Sequence, residues 1–199
     1  MAKRCVSLTH FIWQGHNTEY YVFICALGAF CKNLQLLDLA TQNCKRLLDR
    51  DLGLIEPTKH FAQLQYINLS GCDKLTEAGI LHLVSSITTI EYFIMCFERP
   101  GTGVRRGWER PTPLTDACIV ALSLSNRNLK ALMLRGCAYI TNNCMLTLSQ
   151  NCKLLNHVDV SGSGCTSEVL NYFNKDNEEI IVMDTSEEKP MYIRHLYLL

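Results

Sequence analysis

The chain has 199 residues, 48% of them hydrophobic and 19% charged, and its 19 basic and 19 acidic side chains cancel. That is enough apolar content for one packed core, while zero net charge argues against the long-range attraction that draws a protein to nucleic acid or an anionic membrane. The longest apolar run, Tyr20 to Phe30, is about half of a bilayer crossing, and the polar sequence after the opening MAKR is unlike a secretory signal.

In chain order, one pattern of apolar residues returns. Cys5, Leu8, Phe11 and Trp13 open it, with His16 where later copies place a turn cysteine. Tyr20 to Phe30 fills the place of the first helix, and Cys31, Leu34, Leu37 and Leu39 repeat the offsets 26 residues on. The third set, Phe61, Leu64, Ile67, Leu69 and Cys72, is displaced by 30 because Thr41 to Cys44 and Gly53 to His60 carry extra residues. Ile87, Ile90, Phe93 and Met95 follow at 26, then Asn126, Leu129, Leu132, Leu134 and Cys137, then Cys152, Leu155, Val158 and Val160. A weak seventh copy lies at Ile180, Met183 and Thr185.

The stretch Leu64 to Leu83 shows the unit complete. Ile67 and Leu69 share one face of a short strand, and Tyr66, Asn68 and Ser70 share the other. Cys72 closes the turn and Leu75 packs inward. Thr76 is the expected N-cap of a helix whose stripe is Ile80, Leu81, Leu83 and Val84. Thr115 and Thr141 are the expected caps of the helices carrying Ile119, Leu122 and Leu124, and Met145 and Leu148, with Asp116 suited to the positive end of its helix. A unit that is apolar on two sides cannot bury both alone and needs copies on either flank.

The pattern C-x-x-L-x-x-L-x-L-x-x-C-x-x-I-T-x-x-x-L-x-x-L resembles the cysteine-containing leucine-rich repeat of F-box/leucine-rich repeat proteins. It is carried best by Leu64 to Leu83 and Asn128 to Gly162, with Pro113 to Ser123 matching the helical half. The resemblance implies an α/β fold: a leucine-rich repeat solenoid, a curved horseshoe with parallel strands on the concave face and helices on the convex face. Residues 1–199 then form a single domain of about six to seven repeats. The resemblance also implies a non-catalytic protein-interaction module. Its repeats would be the substrate-recognition part of an F-box (SCF) ubiquitin ligase subunit and would hold a degradation substrate on the concave face. The F-box that would bind the ligase adaptor is not among these residues, so adaptor binding is expected only if one lies upstream. The alternative is a non-enzymatic scaffold subunit, for example of a ciliary axoneme or cytoskeletal complex.

Eleven cysteines follow the repeat, with no C-x-x-C, in an odd number that no complete disulfide scheme accommodates. They read as buried small hydrophobes in a reducing compartment, so neither metal nor cofactor is expected and the expected location is cytoplasmic, with nuclear or ciliary placement left open. Between Cys96 and Leu114 about thirteen residues interrupt the period with three prolines and three glycines, which marks 98–113 as an inserted loop. Arg105, Arg106 and Trp108 make it basic and adhesive, suited to an acidic partner or a phosphate, although a solvated insertion explains it as well. The chain begins inside a repeat, from which a longer parent protein or an isoform is expected, and 187–199 is a candidate C-terminal cap over the last rung.

Strand alternation sends three columns of side chains outward on the concave face. They are His10, Leu36, Tyr66, Tyr92, Ala131 and His157; Ile12, Asp38, Asn68, Ile94, Met133 and Asp159; and Gln14, Ala40, Ser70, Cys96, Arg135 and Ser161. Interfaces favour Tyr, Met and Arg, so the candidate partner-binding residues are Tyr66, Asn68, Tyr92, Met133, Arg135, His157 and Asp159. His157 and Asp159, with Ser161 next in line, are the nearest approach to a catalytic group; polar contacts on a recognition sheet account for them equally. No nucleic-acid or membrane partner is expected.

Overall fold

Six triplets, each with an apolar residue at its centre, become strands of three residues: β1 His10–Ile12, β2 Leu36–Asp38, β3 Tyr66–Asn68, β4 Tyr92–Ile94, β5 Ala131–Met133 and β6 His157–Asp159. A two-residue β7, Ile181–Val182, completes one open sheet. The computed structural model describes residues 6–13, 20–40, 47–53, 61–72, 74–97, 114–173 and 181–182. The expectations placed on the 98–113 loop, on Arg105, Arg106 and Trp108 within it, and on the 187–199 cap lie outside the described residues.

Every neighbouring pair of strands is parallel, and the strands add in chain order. Parallel neighbours need a crossover, supplied by helices α1 Tyr20–Phe30, α2 Asp49–Gly53, α3 Glu77–Ser86, α4 Asp116–Ser125 and α5 Asn142–Asn151, then a 3-10 turn at Ser167–Asn171. The arrangement is α/β with a single open parallel sheet, consistent with a leucine-rich-repeat-like solenoid.

Register follows the repeat. Leu37, Ile67, Phe93, Leu132 and Val158 stand opposite one another across β2 to β6, each at most 1% exposed. Leu39, Leu69, Met95, Leu134 and Val160 form the next buried row. Helical residues spaced three and four apart close the core from the other side: Ile80, Leu83 and Val84 on α3, Cys118, Ile119 and Leu122 on α4, Cys144, Met145 and Leu148 on α5. Each such side chain stabilises the fold by roughly 1.5–3 kcal/mol relative to leaving it in water. The seventh copy is shifted by one residue from the expected register: Val182, not Met183, lies opposite Val158.

After β3, β5 and β6 the chain turns through Gly71, Gly136 and Gly162 at φ 76°, 76° and 69°, a region that side chains with a Cβ avoid. At the equivalent position after β4 stands Phe97, and no described non-glycine residue has positive φ. The repeat turn is therefore missing where the insertion begins.

The helix caps depart from expectation. Thr76, Thr115 and Thr141 occupy N-cap positions in extended conformation, but only Thr141 caps with its side chain, accepting from the Asn143 N–H at 3.3 Å. All three hydroxyls donate across to the preceding rung. Thr76 Oγ1 donates to Asp49, Thr115 Oγ1 to Glu77 at 2.5 Å and Thr141 Oγ1 to Asp116 at 2.5 Å. Asp49 and Asp116 also accept the backbone N–H of Thr76 and Thr141 at 2.8 and 2.7 Å. Each carboxylate belongs to the first residue of its own helix, where the dipole favours it, and its charge strengthens the bond it accepts. Asn142 continues the series, accepting from Thr166 N and donating to Thr166 Oγ1.

Cys31, Cys72, Cys118, Cys137, Cys144 and Cys152 are buried free thiols, and Cys96 and Cys165 are half-buried ones. Cys137 donates to the Met95 carbonyl at 3.1 Å and Cys152 to the Asn126 carbonyl at 3.6 Å, each on the preceding rung. Burial pushes Cys96 and Cys152 up to about 11, so these groups stay protonated near neutrality. Among the described residues no helix is long and apolar enough to cross a membrane, and no three His, Cys, Asp or Glu side chains are grouped to hold a metal ion.

Candidate functional site

The helices pack on one face of the sheet, and the candidate residues stand on the other. Register places His10, Leu36, Tyr66, Tyr92, Ala131 and His157 in one column, and Ile12, Asp38, Asn68, Ile94, Met133 and Asp159 in the next. Arg135 follows Met133 by two and pairs with Asp159. The seven predicted residues thus share one face.

They are not equally open. Tyr66, Asn68, Met133 and Asp159 are buried, and Tyr92, Arg135 and His157 are half-buried. Strand alternation alone predicts outward-facing side chains here. Instead Leu36, Tyr66, Ile94 and Met133 form a second apolar cluster, separate from the main core, with Tyr92 and Cys96 against it. Strands about 4.8 Å apart let side chains of one column stack along it. The Tyr66 and Tyr92 rings lie 6.2 Å apart between centroids at 34°, a geometry worth about 0.5–1.5 kcal/mol beyond burial.

Polar groups flank this cluster on both sides. At its N-terminal end Asp38 Oδ1 accepts from Ala40 N at 2.9 Å, and Oδ2 accepts from the Asn68 side chain at 3.2 Å. Asn68 Oδ1 accepts from Ser70 N at 3.0 Å, and Asp159 Oδ1 accepts from Ser161 N at 3.0 Å, so one Asx turn closes three of the strands. In β4 and β5 the same position holds Ile94 and Met133, which is where the apolar patch lies. Burial pushes the Asp38 carboxyl up, against the opposing effect of the Ala40 and Asn68 bonds.

At the other end Arg135 donates through Nε and Nη2 to Asp159 Oδ2 at 3.3 and 3.1 Å, and Ser161 Oγ donates to Asp159 Oδ1 at 2.5 Å. Asp159 therefore engages the serine directly, without His157 between them, and the three do not form a base-and-nucleophile relay. Burial lowers the His157 pKa, partly offset by the charge of Asp159.

Sequence reasoning missed two members. Glu91 and Lys130 each stand one residue before their strands and form an ion pair at 2.7 Å, with Lys130 Nζ 6.0 Å from the centre of the Tyr92 ring. The hydrogen bond to Glu91 raises the Lys130 pKa. Their opposite charges at one repeat offset were the available signal. The accessible part of the face is thus a line of Glu91, Lys130, Tyr92, Arg135 and His157, each except His157 fixed by a partner on an adjacent strand. Such pre-ordered aromatic and cationic groups are of the kind that protein interfaces favour.

No protein-family model matches the chain. Among solved structures, a chain in the crystal structure of the Rad7 and Elc1 complex in yeast is similar, with a TM-score of 0.56 and 16% sequence identity over 82% of this chain. The match takes in 44% of that chain, so this protein spans less than half of its length. A likeness at this identity speaks for the fold, here an α/β repeat architecture.

Proposed function

We propose that this protein is a non-catalytic leucine-rich repeat module of the cysteine-containing, F-box-associated kind, and that the second sheet face, taken as the concave one, binds a protein partner. The reading rests on one observation above the others: Tyr92, Lys130, Arg135 and His157 stand in line across three strands, and Lys130 and Arg135 are ion-paired in advance of any partner. Support comes also from the repeat spacing and from a structural likeness to a chain solved in a two-protein complex. The partner is taken to be a degradation target of a ubiquitin ligase, with adaptor binding supplied by an F-box outside this sequence. Protonated, buried thiols fit a reducing compartment such as the cytoplasm.

A direct test overexpresses the chain and measures both capture and turnover. A repeat module that holds a target without delivering it should lengthen the half-life of the proteins it captures. Captured proteins with unchanged turnover, all cytoskeletal or axonemal, would overturn the ligase reading in favour of a scaffold. Tyr92→Ala combined with Arg135→Ala should abolish capture; undiminished capture would remove the face from consideration.

A further inference from the structure

The helical side of the fold carries an apolar surface that the core does not use. α3, α4 and α5 lie side by side, and on α4 the core takes Cys118, Ile119, Leu122 and Ser123. The opposite face of the same helix is apolar as well: Ala117 and Leu124 are exposed, and Val120 and Ala121 are half-buried. A helix apolar all round is ordinarily covered on both sides. The equivalent positions lie 39 residues earlier on α3 and 26 later on α5, the spacing of the N-cap residues Thr76, Thr115 and Thr141. Four positions on each of three helices make twelve, and none holds Asp, Glu, Lys or Arg, where a solvated surface would place about three or four. Exposed large hydrophobic residues gather here too. Leu124 is 55% exposed and Leu146 46%, with Tyr139 at 52% and Leu154 at 54% just beyond the two ends of α5.

We infer that this surface is a self-association site for a second copy of the chain, related by a two-fold axis that crosses α4 between Val120 and Ala121 and sets each helix antiparallel to its counterpart. The residues are complementary under that operation. An isologous contact pairs i with j and j with i, so Leu124 of each copy stands over Ala117 of the other and Val120 over Ala121, a larger side chain over a small one each time. On α5 the same operation brings Leu146 against Thr147, and the end carrying Tyr139 to the end carrying Leu154. Charge selects the antiparallel sense. Glu77 and Asp116 open α3 and α4, while Arg127 and Lys153 follow the last turns of α4 and α5. Antiparallel packing sets acidic ends and helix N-termini against basic ends and C-termini, whereas parallel packing would set like against like. Twelve residues a side is about half of a standard interface, so the dimer is weak, with a Kd on the order of tens of micromolar. It leaves the second sheet face of both copies outward, so self-association and partner capture succeed or fail independently.

Sedimentation velocity of the full chain tests this from about 1 to about 200 µM, either side of that Kd. The sedimentation coefficient should rise with concentration towards that of a dimer. Leu124→Glu desolvates an unpaired carboxylate in the contact and should weaken the dimer by at least about tenfold, while its urea midpoint stays near the native one because Leu124 is exposed. A chain that remains monomeric at the highest concentration would overturn the inference. So would a dimer that Leu124→Glu leaves intact, for instance one lost instead on Ile12→Glu at the sheet edge. A photo-crosslinking benzoylphenylalanine in place of Leu124 reads the contact in a chain that keeps an apolar residue there. Covalent dimers joined to the α4 peptide around Ala117 are expected, and dimers joined through the strands would exclude packing by this surface.

Discussion

Asn126 holds the position that Cys31 and Cys152 hold in other copies, and its amide closes the gap left at the longest repeat. It is 1% exposed; its Oδ1 accepts from Ile90 N at 2.9 Å and its Nδ2 donates to the Val84 carbonyl at 3.1 Å. Asn126→Ala leaves both backbone groups buried without a partner. At about 1–3 kcal/mol for each, the expected loss is about 2–6 kcal/mol, out of a total of roughly 5–15 kcal/mol for a domain. The control is Cys152→Ala at the same position one rung later. There the thiol reaches carbonyls at 3.6 and 3.8 Å, and the loss should be about 1 kcal/mol, close to one buried methylene. Urea unfolding followed by circular dichroism reads both as midpoint shifts, with the slope unchanged if unfolding stays cooperative. Hydrogen exchange adds a local reading, since the Ile90 amide should lose protection first. A midpoint shift for Asn126→Ala no larger than that for Cys152→Ala would refute the account.

Four further outcomes are expected. Burial lowers the His157 pKa below its ordinary value of 6.5, so the unfolded chain takes up that proton first. Its stabilising contribution is full above 6.5 and is lost as pH falls through the folded value; His157→Gln should flatten the urea midpoint profile between pH 7.5 and 5, and an unaltered profile would count against it. Burial instead raises Asp38 above 3.8, so its contribution is full below that value and lost as pH rises through the folded one. The D38N midpoint minus that of the native chain should therefore grow from pH 3 to pH 7, and a flat difference would contradict the assignment. Gly164 is exposed, yet an added Cβ would stand 2.9 Å from the Ile140 carbonyl oxygen and 3.0 Å from that of Ala138; Gly164→Ala should cost about 1–3 kcal/mol, readable as a fall in melting temperature. A Cβ on Gly79 would fall inside the Asp49 carboxylate that holds Thr76. Gly79→Ala and Asp49→Ala should therefore each destabilise and together cost less than their sum in a double-mutant cycle, whereas full additivity would show that the clash and the clamp are separate.

The strand register was legible because it is written in side chains whose burial the repeat dictates. Leu37, Ile67, Leu132 and Val158 fall into one interior row at the offsets read from the sequence. Legibility failed where the deciding partner lies on another rung. Thr76 stands at a helix cap, yet its hydroxyl donates to the Asp49 carboxylate one rung away. At β7 two adjacent apolar residues satisfy the spacing almost equally, and the strand pairing places Val182 opposite Val158. The candidate face shows the same limit. Alternation fixes which residues share it, and Tyr66, Tyr92, Met133, Arg135, His157 and Asp159 do, but alternation carries no information on what lies above a face. Burial of Tyr66 and Met133 is a property of the assembled chain. A sequence therefore gives the membership of such a surface before its accessibility, and here the ion pairs Glu91–Lys130 and Arg135–Asp159, joining strands that meet only in the fold, mark the accessible line beside the buried patch.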